Sequence, residues 1–90
     1  MLTIYKYPIE PRDFTLTLPE RARLLTVQTQ YSRPCLWALV DPEAPPEERH
    51  FVTYGTGHPV TDDPVRLTYI GTFQLEGGML VFHLFEKDVK

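Results

Sequence analysis

Few groups in this 90-residue chain could do chemistry: three histidines, one cysteine and a scatter of carboxylates and arginines. The most suggestive run is Gly55-Thr56-Gly57-His58-Pro59. Two glycines let successive backbone N–H groups turn inward, and such a nest can hold an anion. His58 beside it could hydrogen-bond a phosphate. The run lacks the Gly-Lys-Ser/Thr ending of a phosphate-binding loop, and no helix is predicted after it, so neither nucleotide fingerprint is met. The plainer account is a loop that ends a strand, its glycines taking positive φ.

The other candidates weigh out similarly. His50, His58 and His83 fall at no spacing that gathers them around a metal, so no metal site is assigned. His83 reads as a half-buried strand residue bonded to Thr72. With Gly55, Thr56, Gly57 and His58, these two complete the candidate ligand-binding set. Asp62-Asp63 with Asp41 suggests acid–base work, but two carboxyls across a substrate cleft need a larger body. Asp before Pro64 is ordinary turn chemistry. Cys35 lies in a predicted strand with no activating base in the sequence, which makes it inert and packed. Arg12, Arg21, Arg23 and Arg33 fall in loops or at strand ends. Clustered, they would attract an anion; scattered, they only solvate the surface. No catalytic residue and no cofactor is expected.

Composition narrows the classes further. A net charge of −3 argues against non-specific binding to nucleic acid, which needs a dense basic surface. The lone cysteine excludes an intrachain disulfide or a cysteine-built zinc site. No basic segment followed by an apolar run opens the chain, and no stretch nears the roughly 18 apolar residues of a membrane span. The expected compartment is the cytoplasm, with no membrane partner. The 9 prolines are about twice the usual share, and they favour short strands joined by tight loops.

The elements that would position these groups read as strands in one domain, residues 1–90. Leu2 to Ile9 is a first strand, confined to a sheet edge or ended by Pro8 and Pro11. Phe14 to Leu18 alternates cleanly and is closed by Pro19. Glu20 to Arg23 is predicted as one helical turn. Leu24 to Tyr31 and Pro34 to Asp41 form a hairpin about Ser32-Arg33, with Thr29 facing Leu36, Val27 facing Ala38 and Leu25 facing Val40 on the core side. Pro42 to Glu48 is an exposed acidic loop, and Arg49 to Tyr54 a short strand. Leu67 to Glu76 and Met79 to Glu86 make a second hairpin about Gly77-Gly78. There Leu75 faces Leu80, Phe73 faces Phe82, Gly71 faces Leu84 and Tyr69 faces Glu86; on the other side Thr72 faces His83 and Ile70 faces Phe85. About seven short strands and little helix give an all-β domain, a small antiparallel sandwich or a partly open barrel. A bend sited one residue away is expected to exchange inside and outside along its hairpin.

Both hairpins carry apolar groups beyond one core face. Trp37 and Leu39 point away from the core side of the first, and Met79, Val81 and Phe85 from that of the second. Leaving several such side chains in water forgoes roughly 1.5–3 kcal/mol each. The first strands could fold across them, another copy of the chain could cover them, or they could line a ligand pocket.

The sequence resembles a family of small uncharacterised proteins of bacteriophages and bacteria, known only as a domain of unknown function. The resemblance rests on Tyr5-Lys6-Tyr7-Pro8-Ile9, on Pro34 to Pro42 (PCLWALVDP), on Tyr54-Gly55-Thr56-Gly57-His58-Pro59, on Tyr69-Ile70-Gly71-Thr72 and on Val81 to Glu86. It implies a phage or prophage gene and conveys no activity, ligand or catalytic residue. Two functions follow as expectations. One is a non-catalytic phage accessory binding protein that sequesters a small anionic ligand or inhibits a host protein. The other is an assembly module that forms homo-oligomers through an apolar sheet face. A hydrolase using His58 with Asp62 or Asp63 is the weakest reading.

Overall fold

Period-two alternation in the sequence becomes seven strands in a computed structural model that describes residues 1–89. They are β1 (Thr3–Pro8), β2 (Phe14–Pro19), β3 (Arg23–Gln30), β4 (Arg33–Val40), β5 (Pro46–Gly55), β6 (Leu67–Leu75) and β7 (Leu80–Lys87). A three-stranded sheet runs β1-β4-β3 and a four-stranded sheet runs β2-β5-β7-β6, antiparallel throughout. The two pack face to face without closing into a barrel, so the all-β sandwich is the form the fold takes. Leu36, Ala38, Val40 and Val27 meet Leu18, Phe51, Phe73 and Leu84 in one buried cluster. Each large member contributes roughly 1.5–3 kcal/mol by leaving water.

The first hairpin turns one residue earlier than its sequence suggests. Tyr31 and Ser32 take φ of 50° and 64°, the double left-handed geometry of a tight hairpin turn, and Gln30 lies opposite Arg33. Leu36 therefore faces Val27 rather than Thr29. That is a slip of two positions on the same face, so inside and outside do not exchange; the expectation that they would was wrong. Leu36, Ala38 and Val40 are fully buried. The register then breaks between Leu24 and Thr26. This bulge turns Leu24 onto the core and leaves Leu25 exposed, where the alternation had put Leu25 inside.

The second hairpin keeps its expected register from Leu75↔Leu80 to Gly71↔Leu84. A bulge between Tyr69 and Gly71 then sets Tyr69 opposite Phe85 and Thr68 opposite Glu86, correcting both pairings expected beyond Gly71. The glycine leaves room for a neighbour from the other sheet, since a Cβ on Gly71 would lie 2.8 Å from Val27 Cγ1. There β3 packs on β6, and the Thr29 hydroxyl donates to the Gln74 carbonyl at 2.9 Å.

Two further expectations fail for local reasons. Glu20 to Arg23 is no helical turn. Ala22 N–H donates to the Pro19 carbonyl and Arg21 takes φ 63°, a β-turn that carries the chain from one sheet to the other. The acidic loop is shorter than read, because Pro46, Glu47 and Glu48 pair with Pro19, Leu18 and Thr17 and extend β5.

Both free edges end in proline. Ile9 N–H donates to the Pro34 carbonyl. Because antiparallel bonding alternates, Thr3, Tyr5 and Tyr7 also turn their donors to β4, whereas Ile4, Lys6 and Pro8 face outward. By the same count from Glu20 N–H on the Pro45 carbonyl, Thr15, Thr17 and Pro19 face outward from β2. Pro8 and Pro19 thus stand where a missing N–H breaks no ladder bond.

Candidate binding face

The predicted ligand set divides into a bonded cluster and a packed loop. His83 on β7 holds Thr72 Oγ1 at 2.9 Å through Nδ1 and Thr56 Oγ1 at 2.7 Å through Nε2, and Tyr69 OH lies 2.5 Å from the same Thr72 oxygen. Cross-strand pairing of Thr72 with His83 brings the first contact about. Both ring nitrogens are therefore engaged by hydroxyls. The Gly55–His58 segment is a turn, with His58 N–H on the Gly55 carbonyl, Thr56 N–H on the Val81 carbonyl and Gly57 at φ 86°. Two donors a nest would aim at an anion are used inside the fold. The His58 ring lies where a Cβ on Gly55 would be, 2.8 Å from Nδ1. Gly55 is thus required by close approach, and Gly57 by its dihedral.

Topology explains why this region is covered. Strands β5 and β6 both run antiparallel to β7, so they are parallel to each other, and the chain must cross the sheet to join them. Residues 56–66 make that crossing over the outer face. Asp62 anchors it, receiving the Tyr54 hydroxyl and Lys87 Nζ, the latter at 2.6 Å. Lys87 and Tyr54 hold the Asp62 carboxyl below its ordinary pKa, and Asp62 raises that of Lys87. Asp63 caps the next turn through Val65 N–H at 3.0 Å. Val52 points outward from β5 and is still only 5 % exposed. Phe85 lies edge-on between Tyr54 and Tyr69.

Sequence reasoning missed a second charged pair besides Lys87 and Asp62. Arg49 donates through Nε and Nη2 to Glu86 at 2.6 and 2.8 Å, and through Nη1 to the Ala22 carbonyl at 2.6 Å. It ties β5 and β7 to the turn that joins the sheets. The Glu86 hydrogen bonds raise the Arg49 pKa. The signal was present: Arg49 shares the inward face of Phe51, and Glu86 that of Leu84. The cleft above the pair also carries Arg21, Glu47, Glu48 and Lys87, both signs of charge together. The other arginines are dispersed, with Arg12 beside Glu10 and Arg21 beside Glu20.

The expected interface residues do not share one surface. Val81 and Phe85 lie on the outer face of the four-stranded sheet, Met79 in the β6–β7 turn, and Trp37 and Leu39 on the outer face of the three-stranded sheet. The first strands cover neither face: β1 pairs edgewise with β4, and β2 with β5. On the three-stranded side, Ile4 lies beside Leu39 and Lys6 beside Trp37. Leu2 and Ile4 are 61 % and 57 % exposed, and Trp37 and Leu39 half-buried. Only the far end is strapped. Lys6 Nζ donates to Gln30 Oε1 at 2.8 Å, spanning β4 between the rows of Trp37 and Arg33. Cys35 lies beneath that span and is 3 % exposed, which accounts for a buried thiol on an outer face.

Among the described residues, no three His, Cys, Asp or Glu side chains gather as a metal site, and no helix is long and apolar enough to cross a membrane. Residues 1–90 match the model of a family described as a domain of unknown function (DUF7352). No curated protein and no solved structure matches the chain.

Proposed function

The chain belongs to this family of domains of unknown function along its whole length, and from that premise we propose that it is a non-catalytic assembly module whose working surface is the outer face of the three-stranded sheet. The observation that carries the reading is the exposed pair Leu2 and Ile4, with half-buried Leu39 and Trp37 beside them on the same face. A contiguous apolar patch rimmed by Arg23 and Lys6 is the form a protein contact takes. The histidines support it from the other side, because His83 is bonded at both nitrogens and His58 is packed on Gly55. Work as a phage or prophage accessory protein in the host cytoplasm is part of the proposal and rests on the resemblance of its Tyr5–Ile9, Pro34–Pro42 and Tyr54–Pro59 segments.

Photo-crosslinking in cells tests it. A photoreactive residue in place of Ile4 is expected to give a discrete protein adduct. The same residue in place of Thr17, exposed on the other sheet, is expected to give none. Equal labelling from both positions, or no adduct from position 4, would overturn the reading.

A further inference from the structure

The apolar face ends at an unpaired strand edge, and that edge is where another chain can join it. We propose that the partner is a second copy of this chain, joined edge to edge through β1 so that two three-stranded sheets become one continuous sheet. The inference rests on the reading of that face as a docking surface and adds its partner.

The four sheet edges are not equivalent. Edges β3 and β6 lie against each other. Edge β2 is flanked on its outer side by the exposed hydroxyls of Thr15 and Thr17. Edge β1 alone turns free main-chain donors outward beside uncovered apolar side chains. Ile4, Lys6 and, just ahead of the strand, Leu2 point their N–H and carbonyl groups away from β4 by the alternation that Ile9 fixes. Pro8 ends the series, so an added strand finds its donors between Leu2 and Lys6 only.

A second β1 supplies the matching partner. Run antiparallel with Ile4 opposite its own counterpart, it sets Leu2 opposite Lys6 in both directions, and each of the three residues gives and receives a main-chain bond. The row Leu39–Ile4 then continues across the two-fold axis as Leu39–Ile4–Ile4–Leu39, one apolar strip shielded at its centre. The two Lys6 side chains are kept apart; a register that set them face to face would oppose like charges. Such an isologous contact closes at two chains and leaves no further β1 edge exposed.

Sedimentation equilibrium of the full chain, across low to high micromolar concentrations, is the test. A single monomer-to-dimer equilibrium is expected. Ile4→Pro removes an outward donor without touching the bonds to β4 and should weaken the dimer at least roughly 10-fold, because two main-chain bonds are lost per dimer. Thr17→Pro makes the same change on the β2 edge and should leave the equilibrium unaltered. Ile4→Glu, which keeps the main-chain donor and sets two carboxylates across the axis, should weaken the dimer as well. Thermal melts followed by circular dichroism confirm that each variant folds, and Lys6→Pro replaces Ile4→Pro if that one does not. Loss of dimer in Ile4→Glu with none in Ile4→Pro would overturn the edge pairing and leave the docking face standing. A monomer at every concentration, with a foreign protein crosslinked at position 4, would overturn the second copy alone. A monomer with no adduct would overturn both.

Discussion

The two outer faces of this sandwich solve the same problem in opposite ways. The four-stranded sheet covers part of its own outer face, because the parallel relation of β5 and β6 forces residues 56–66 across it. That crossing is held by Asp62 on Tyr54 and Lys87, and its start by Thr56 on His83. The three-stranded sheet has neighbouring strands joined by a tight turn and an edge strand, and no connection needs to cross it. Its outer face keeps one polar strap, Lys6 to Gln30, and leaves Leu2 and Ile4 exposed beside half-buried Leu39. Connectivity decides which face is covered, and the face without a crossing is the one free to receive another molecule.

The comparison is most sharply tested by placing the same charge on both faces. Val52→Asp buries a carboxylate on the outer side of β5 and should cost about 3 kcal/mol or more in urea unfolding. Ile4→Asp should change stability by less than about 1 kcal/mol when measured at a dilution where chains are separate. Similar losses at the two positions would erase the distinction. Arg49→Ala comes next. It strips three hydrogen bonds from a pair that keeps some contact with water, and a loss of about 2–3 kcal/mol is expected, below that of a fully buried pair.

A smaller effect should come from the start of the crossing. Gly55→Ala drives a methyl into the His58 ring and should cost about 1–2 kcal/mol. His58→Ala in the same chain should recover most of it, and a double-mutant cycle measures the coupling. The smallest effect is the pH dependence of the anchor. Asp62 has its pKa lowered by Lys87 and Tyr54, so its contribution is present above the ordinary carboxylate value near pH 3.9 and is lost as pH falls through the depressed one. Lys87 has its pKa raised by Asp62, so its contribution is present below the ordinary value near pH 10.4 and is lost as pH rises through the raised one. Asp62→Asn should flatten the acid side of the melting curve, and amide exchange within residues 56–66 should quicken. The Ile4 region should not respond.

Local signals in the sequence were reliable where a turn fixed them. Gly77-Gly78 set the register of β6 and β7 as far as Gly71, and the alternation of Leu36, Ala38 and Val40 identified the buried side of β4 although the turn beside it was misplaced by one residue. The bulge at Leu25 was illegible, since it inserts one residue with no glycine or proline to mark it, whereas Gly71 beside the bulge at Ile70 was a signal that went unread. The pairings of β1 with β4 and β2 with β5 were illegible too. They join segments tens of residues apart, and the alternation of either strand suits more than one neighbour. That gap put Trp37 and Phe85 on one imagined surface, whereas they lie on opposite sides of the molecule. Thr72 and His83 were placed together by register alone, and Thr56 reached them only through the crossing. Arg49 and Glu86 each sat on an apolar face in plain view, but nothing local joined them.

The most direct test of the β1 edge of the bare face as the place where a second copy joins is residue-resolved amide exchange on the unmodified protein at low and high concentration. Tyr5 and Tyr7, bonded to β4, should be protected at both. Ile4 and Lys6 should exchange openly when dilute and become protected when concentrated. Ile4 and Lys6 amides that exchange at the same open rate throughout would contradict it.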